Sequence, residues 1–409
     1  MPAMTSLRPG VAPALLGLSA LLAVGCRRPA SPPRPATDVP ATQRDATPRR
    51  RAGPEDVSPP RGDAGAASAT TLTWSRDGLA AAWIEGDAVR AWQRVGTRWV
   101  RRGVRVNDHA AAGLVRLVAG PEGELAAAWT ERAENGGTAV RFARWQGGRW
   151  TELGSLLNEP AATTTVTALV LSGSAQSPMV AMILEGPAGN PITLRAVRWR
   201  GVRWENAGPP SLVPPGARVQ TLNAAQCGEG RSLLGWIEIG ATGTPLLSLR
   251  AWNPQQNTWI ELPRSDAPLI DAGTHTLAMA CDDDGRLSLG YGWSGGTHGV
   301  RRWSPASDTW QDLGLPRDTL RAASLDAGPW LAWQGETLWM SWRPRGGGLA
   351  AAVHREGAWR VLGESLDDRD GRGVEAALDP TGTLYVSGRG PSAAVAVASL
   401  RAASARASE

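Results

Sequence analysis

Short apolar segments, each bounded by turn residues, recur along residues 70–400. They are separated by pairs such as Asp77-Gly78, Glu122-Gly123 and Gly147-Gly148. Gly and Asp supply the positive φ values of tight hairpins, so these pairs predict turns between antiparallel strands. One stretch shows a complete set of four strands: GLVRLVA (113–119), ELAAAWTE (124–131), TAVRFARW (138–145) and RWTELG (149–154).

A tryptophan opens the fourth strand of each unit and sets the period of the chain. It recurs at intervals of 49 to 55 residues, at Trp99, Trp150, Trp204, Trp259, Trp310 and Trp359. Four short strands per period of this length are typical of a β-propeller blade. The sequence therefore predicts an all-β fold, a propeller of four-stranded antiparallel blades. Six complete units and a fragment at 373–400 give seven blades, the last one incomplete, with no N-terminal strand evident to close it.

A second tryptophan ends the third strand in five units, at Trp92, Trp145, Trp199, Trp252 and Trp303. Four or six residues separate the two tryptophans of each unit. In a symmetric hairpin this spacing places the rings opposite each other on one face. An arginine two or four residues earlier lies on the same face, where we expect it to stack on the ring. These arginines are Arg90, Arg141, Arg195, Arg250 and Arg301.

The stretches SLRAWNPQQNTWIELP and GVRRWSPASDTWQDLG resemble the third and fourth strands of Kelch repeats, in which an aromatic residue, a turn and a Trp recur. The Gly-Gly of that family is missing from the second strands, where AAWIE, AAWTE and LGWIE stand instead. The resemblance covers about a third of each unit. It implies a propeller and transfers no catalytic residue.

The N-terminus has the features of an export signal. Residues 11–25 are apolar and uncharged, too short for a membrane span, and they end in Leu22-Ala23-Val24-Gly25-Cys26. This segment resembles the lipobox of bacterial lipoproteins, which implies that 1–25 are a signal peptide and that Cys26 is lipidated. Arg27 follows, and by the same resemblance we expect an outer-membrane protein that faces the periplasm or the cell surface.

Residues 26–68 are rich in Pro and Arg and contain almost no large apolar side chain. Such a segment buries too little surface to offset the entropy of ordering, so we expect a disordered tether. The remaining residues, 69–409, form the predicted propeller.

All 43 basic side chains are arginine. The absence of lysine excludes a Walker A loop and Schiff-base chemistry. Residues 68–409 carry 34 Arg and 33 acids, a net charge of +1, so no nucleic-acid partner is expected. GYGWSGG (290–296) matches two enzyme motifs, but both need α/β contexts that an all-β repeat lacks. We expect no catalytic residues, cofactor or metal site.

Two functions fit a propeller without a catalytic motif. The main expectation is a non-enzymatic, monomeric scaffold that presents loops to a protein partner; the alternative is a lectin-like propeller that binds glycans through Trp and Arg. Loops between blades and between second and third strands lie on one side of a propeller, and binding usually resides in loops. The candidate binding residues on that side are Asn107, Asp108, His109, Asn158, Glu159, Asp266, Asp271, Asp318, Asp367, Asp368 and Asp370.

Cys227 and Cys281 are the two cysteines that remain once Cys26 is lipidated. Each ends the first strand of its unit, and first strands of neighbouring blades are adjacent around the channel. An even remainder in an exported chain favours pairing. The sequence predicts a disulfide that joins blades four and five, with two buried, unpaired cysteines as the alternative.

Overall fold

Seven four-stranded antiparallel sheets form the blades of a seven-bladed β-propeller in the computed structural model of the chain. The structure describes residues 55–56, 58, 67–103, 105–107, 111–154, 157–158, 164–186, 192–228, 231–240, 243–263, 274–293, 298–316, 329–342, 349–365, 375–389 and 395–401. All of these residues belong to one compact unit, Arg51–Glu409. The described residues include no helix with the length and hydrophobicity that crossing a membrane requires.

The strands follow the chain around the ring. Blades one to three contain β2 (Ala67–Ser75), β3 (Gly78–Glu85), β4 (Ala88–Val95) and β5 (Arg98–Arg101); β6 (Ala111–Ala119), β7 (Leu125–Arg132), β8 (Thr138–Gln146) and β9 (Arg149–Glu152); and β10 (Thr165–Gly173), β11 (Pro178–Glu185), β12 (Thr193–Trp199) and β13 (Trp204–Asn206). Blades four to six contain β14 (Arg218–Cys227), β15 (Arg231–Ile239), β16 (Pro245–Asn253) and β17 (Thr258–Glu261); β18 (Thr274–Cys281), β19 (Leu287–Trp293), β20 (His298–Ser304) and β21 (Thr309–Gly314); and β22 (Trp330–Gln334), β23 (Thr337–Trp342), β24 (Leu349–Arg355) and β25 (Ala358–Ser365). Blade seven contains β26 (Glu375–Leu378), β27 (Thr383–Arg389), β28 (Val395–Arg401) and β1 (Glu55–Asp56).

The prediction of seven four-stranded blades is confirmed, but the expected gap in the last blade is wrong. The N-terminal strand β1 pairs antiparallel with β28, with Glu55 opposite Ser399 and Asp56 opposite Ala398. The Ser58 hydroxyl also accepts a hydrogen bond from the Val397 backbone N–H (3.0 Å). Blade seven is therefore completed by a piece of the segment that the sequence assigned to a tether. The rest of that segment up to residue 54, and the signal region before it, lie outside the described residues.

The core lies between the blades. Seven hydrophobic clusters fill the seven interfaces between neighbouring blades. The second strand of a blade faces a neighbour on both sides, and every residue of β3 is accordingly buried. This double burial explains why GLAAAWIE reads as a continuous apolar run rather than an alternating one.

The fourth-strand tryptophans of blades two to six join each of these blades to the preceding one. Their indole N–H groups donate to a backbone carbonyl at the end of the preceding blade's fourth strand or just after it. The pairs are Trp150 to Arg102 (2.7 Å), Trp204 to Leu153 (2.6 Å), Trp259 to Ala207 (2.7 Å), Trp310 to Pro263 (3.3 Å) and Trp359 to Leu313 (2.8 Å). Five of the 20 tryptophans therefore link neighbouring blades.

The predicted pairing of tryptophans across the last hairpin holds in blades two to five, where the two rings are in register. In blade one, Trp92 lies opposite Arg101 and Trp99 opposite Arg94. The reason is the two-residue turn at Gly96-Thr97, which pairs Val95 with Arg98. The two rings share a face there but are diagonal rather than opposite.

A disulfide joins Cys227 and Cys281, the last residues of β14 and β18. Their Cα atoms are 4.8 Å apart, within the range that a disulfide bridges. The bond connects the first strands of blades four and five, as the sequence predicts.

Candidate functional site

Two of the residues predicted for a binding loop are buried asparagines with a structural role. The Asn107 carboxamide accepts a hydrogen bond from the Val89 backbone N–H (2.7 Å) and donates to the Asp87 carbonyl (2.9 Å). Asn158 makes the equivalent contacts with Val140 (2.7 Å) and Thr138 (2.8 Å). Neither side chain is available to a ligand. Asp108, His109, Glu159, Asp266, Asp271, Asp318, Asp367, Asp368 and Asp370 lie outside the described residues, as does Cys26.

Three of the arginines predicted to stack on a hairpin tryptophan have other partners. Arg141 binds Glu131 and Glu152, Arg195 donates to Asn206, and Arg250 lies over Trp236, in the second strand of its blade, at 5.2 Å from the ring centroid. Three further arginines lie over a tryptophan of the next blade: Arg102 over Trp145, Arg198 over Trp252 and Arg302 over Trp333, at 5.9, 4.8 and 6.0 Å from the ring centroid. These contacts connect neighbouring blades. They reinforce the interfaces rather than mark a sugar site.

The second strands of blades one, two and four carry a Trp-x-Glu motif, and its glutamate binds an arginine of the third strand in blades one and two. Glu131 accepts from the Trp129 indole (3.4 Å) and also binds Arg141. In blade one, Glu85 binds Arg90 at 3.0 Å, and in blade four Glu238 accepts from the Trp236 indole at 2.8 Å. These glutamates are buried and satisfied inside the blades.

A pocket of about 420 Å³ opens where the first strands of blades six, seven and one end. It lies on the side of the ring that carries the turns between first and second strands, opposite to the predicted binding side. Three tryptophans line it, Trp74, Trp330 and Trp333, and all three are half-buried. Thr73, Gln334 and Asp379 supply polar groups at its wall.

Trp74 is held on one side by a stacked contact with Tyr385, with ring centroids 5.5 Å apart. The Tyr385 hydroxyl donates to Asp379 Oδ2 (3.2 Å). Asp379 Oδ1 accepts from the backbone N–H groups of Thr381 and Thr383, each at 2.8 Å, which fixes the turn of blade seven. The ring, the phenol and the carboxylate therefore form one connected wall of the pocket.

The opposite wall is built by the end of β22. The Trp333 indole donates to the Ser288 hydroxyl (3.2 Å), and Arg302 covers one face of the ring. The Gln334 amide N–H donates to the Asp379 carbonyl (3.0 Å) and ties the two walls together. Burial and the charge of Arg302 lower the pKa of His354, a residue of the third strand of blade six.

The arrangement suits a ligand that has both apolar and polar faces. Trp74 is held by Tyr385 and Trp333 by Ser288 and Arg302, and Thr73, Gln334 and Asp379 add polar groups to the wall. No cluster of three or more His, Cys, Asp or Glu able to hold a metal occurs among the described residues. Sequence reasoning missed this site because it treated tryptophan as a repeat residue. The available signal was that Trp74 and Trp333 fall outside the hairpin pattern, at equivalent positions two residues from their turns.

No protein-family model matches the chain, and no curated protein matches its sequence. Solved structures resemble it at low identity. An α-L-arabinanase of Penicillium chrysogenum, complexed with arabinobiose, is 14% identical, with 85% of this chain and 98% of that one covered and a TM-score of 0.49. A Trypanosoma rangeli sialidase is 14% identical, with 75% and 55% covered and a TM-score of 0.50. The Aleuria aurantia lectin, in complex with a fucosyl disaccharide, is 13% identical, with 72% and 97% covered and a TM-score of 0.44.

The chain thus spans about half the length of that sialidase, and the likeness establishes the fold. These findings contradict two expectations from the sequence. The scaffold prediction is wrong and the glycan-binding alternative fits better, because the sialidase that matches at a TM-score of 0.50 was solved with a sugar derivative, 2,3-difluoro-KDN, rather than with a protein partner. The same match contradicts the expectation that the chain is not an enzyme, because that sialidase, which shares the fold, is an enzyme.

Proposed function

We propose that this chain is a carbohydrate-binding propeller whose sugar site is the tryptophan pocket of blades six, seven and one. One observation carries the proposal: three half-buried tryptophans surround a polar-rimmed pocket large enough for one or two sugar rings. A pyranose or furanose presents an apolar C–H face to an aromatic ring and hydroxyl groups to its edge. Trp74 and Trp333 meet the first requirement, and Gln334 and Thr73 meet the second.

The pocket supports binding through groups that are fixed before the ligand arrives. Trp74 rests on Tyr385, and Trp333 is fixed by Ser288 and Arg302. Rings held in this way lose little conformational entropy when a sugar stacks on them, which favours affinity. Asp379 is the carboxylate among the described lining residues, and its oxygens accept hydrogen bonds from the turn and from Tyr385.

The cellular location of the protein is part of the proposal. The resemblance of residues 22–26 to a lipobox supports lipidation at Cys26, anchorage in the outer membrane and exposure to the periplasm or cell surface. The Kelch-like hairpins support an origin from an ancestral repeat. A monomeric propeller anchored in the outer membrane would bind a glycan of the cell envelope or of the extracellular medium.

A binding screen with a paired variant tests the function. Arabinobiose, sialyllactose and methyl fucoside are titrated calorimetrically into the purified chain beside a wider glycan array, and each mixture is then analysed for cleavage products. We expect at least one sugar to bind, and Trp333→Ala to weaken it about tenfold or more through the loss of a stacking ring.

Trp310→Ala is the matched control, because Trp310 is also half-buried but lies outside the pocket. It should leave affinity unchanged in protein that is folded by near-ultraviolet circular dichroism. Absence of binding across the whole array, or equal losses in both variants, would refute the proposal.

A further inference from the structure

The third and fourth strands of a blade, with the turn between them, form its last hairpin. The net charge on these hairpins differs between two halves of the ring, blades one to three and blades four to six. In blades one to three (β4–β5, β8–β9, β12–β13) these hairpins carry eleven Arg and two Glu, a net charge of +9. The same hairpins of blades four to six carry five Arg and five acids, a net charge of zero. We call the arginines of the first half the arginine rim. They are Arg90, Arg94, Arg98, Arg101, Arg141, Arg144, Arg149, Arg195, Arg198, Arg200 and Arg203.

Three members of the rim occupy the same position in consecutive blades. Arg98, Arg149 and Arg203 each stand directly before the fourth-strand tryptophan, at the tip of the last hairpin. All three are exposed. Blades four and five have Thr258 and Thr309 at this position. Because the tips of equivalent hairpins lie on the same side of a propeller, these arginines form a curved row on the side that also holds the tryptophan pocket.

The positive charge of the rim is only partly neutralised. Among the described residues, Arg98 and Arg149 form no salt bridge. Glu205 is shared by Arg203 at 3.0 Å and Arg200 at 3.4 Å. Burial lowers the pKa of Arg198, and the like charge of Arg200 adds to this effect. A cationic surface that is only partly neutralised attracts a polyanion.

Two clefts within the rim have the shape and chemistry of sugar subsites. One, of about 290 Å³, lies between blades two and three; Arg195, Arg203, Trp204 and Asn206 line it, together with Glu205, which is paired with Arg203 and Arg200. The other, of about 520 Å³, is lined by Arg144, Arg149, Gln146 and Thr151. Both combine guanidinium groups with amide or hydroxyl groups. This combination matches a sugar unit that carries an anionic group beside its hydroxyls.

We infer that the arginine rim binds an acidic polysaccharide, a chain in which the sugar units carry carboxylate or sulfate groups. The inference rests on the proposed carbohydrate-binding function and names its ligand class. Concave clefts with amide and hydroxyl groups favour a polysaccharide over a lipid bilayer, which cannot enter them. The apolar side chains exposed at the tips are Val95 and Val202, which are smaller than the Trp, Phe and Leu side chains that anchor a protein at a membrane interface. Guanidinium groups bind carboxylate and sulfate oxygens bidentately, and a repeating polymer engages several tips at once.

The test compares two double variants with the same change in charge. R98Q/R149Q removes two rim tips, and R355Q/R360Q removes two exposed arginines from the neutral half in blade six. Polygalacturonate and dextran sulfate are the acidic probes, and dextran is the neutral one. We expect the unmodified chain to bind the acidic polymers and not dextran, with affinity falling steeply between 0.05 and 0.5 M NaCl, conditions chosen to span weak and strong screening. R98Q/R149Q should bind at least about tenfold more weakly, and R355Q/R360Q should match the unmodified chain.

Three results would overturn the inference: equal losses in the two variants, binding of dextran as tight as that of dextran sulfate, or tighter binding to vesicles of anionic phospholipid or to duplex DNA than to the acidic polymers. Failure here can be separated from failure of the proposed function. If sugars bind in the pocket and depend on Trp333 while the rim variants change nothing, only the rim assignment fails. If no glycan of any charge binds, the proposed function fails with it.

Discussion

Buried asparagines fix the loop that leaves the fourth strand in the first two blades. In both cases the asparagine side chain bonds to the backbone at the start of the third strand, 18 to 20 positions earlier in the chain. The neighbouring backbone repeats the contact, because Val106 and Leu157 donate to the carbonyls of Val89 and Val140. The sequence alone therefore does not tell whether a polar residue in an irregular loop binds a ligand or supports the backbone. Only its burial shows that Asn107 and Asn158 serve the backbone rather than a ligand.

The first prediction concerns this residue-scale role. Asn158→Ala leaves the Val140 N–H and the Thr138 carbonyl without partners in a buried site, so the free energy of unfolding should fall by about 2 kcal/mol. Asn206→Ala, at an exposed amide, should change it by less than about 0.5 kcal/mol. Urea unfolding followed by tryptophan fluorescence measures both. Sugar binding by folded Asn158→Ala should equal that of the unmodified chain, and a selective loss of binding would restore the residue to the ligand site.

At the scale of the element, a single contact recurs around the ring: a fourth-strand indole donates to the carbonyl that ends the preceding blade. A glycine follows that carbonyl at Gly103, Gly154 and Gly208, in each case with φ between +77° and +92°.

The tryptophan period and the hairpin spacing predicted the blades, since both are local. The donor–acceptor pairs join residues about 50 positions apart, so no local pattern revealed them. Blade one also shows that the spacing of two tryptophans does not fix their register, because a two-residue turn away from the middle of that spacing makes the pair diagonal.

The second prediction uses these glycines. A Cβ at Gly208 would lie 2.7 Å from Trp259 Cδ1, whereas a Cβ at Gly201 would meet nothing within 4 Å, and both residues have a positive φ. Gly201→Ala should thus report only the cost of the left-handed conformation, about 1 kcal/mol. Gly208→Ala should cost about 1 to 3 kcal/mol more, because it also pushes the indole away from the Ala207 carbonyl. Thermal and urea unfolding of the pair measure the difference, and equal losses would mean that the indole contact adapts freely.

At the scale of the whole molecule, two features escaped sequence reasoning for the same reason. The net charge of the body, near zero, conceals a net charge of +9 on the last hairpins of blades one to three, because acids that offset it, such as Glu85 and Glu131, lie on other strands. The closing strand β1 is only Glu55–Asp56, two charged residues in a proline-rich stretch, and carries none of the apolar alternation that marks a strand. Both features are properties of the closed ring. They are visible only once residues that are far apart in the chain are placed side by side.

The last prediction tests ring closure. A chain that begins at residue 61 lacks β1 and Ser58, which leaves the edge of β28 unpaired, whereas a chain that begins at residue 53 keeps both. Each lost backbone hydrogen bond is worth about 0.5 to 1.5 kcal/mol, so the shorter chain should be less stable by about 2 kcal/mol. An open sheet edge also invites pairing with a second chain, so the shorter protein should self-associate as its concentration rises. Urea unfolding and light scattering after size-exclusion chromatography measure these effects. Identical stability and molar mass for the two chains would show that β1 contributes nothing to closure and that contacts of β26 with blade one suffice.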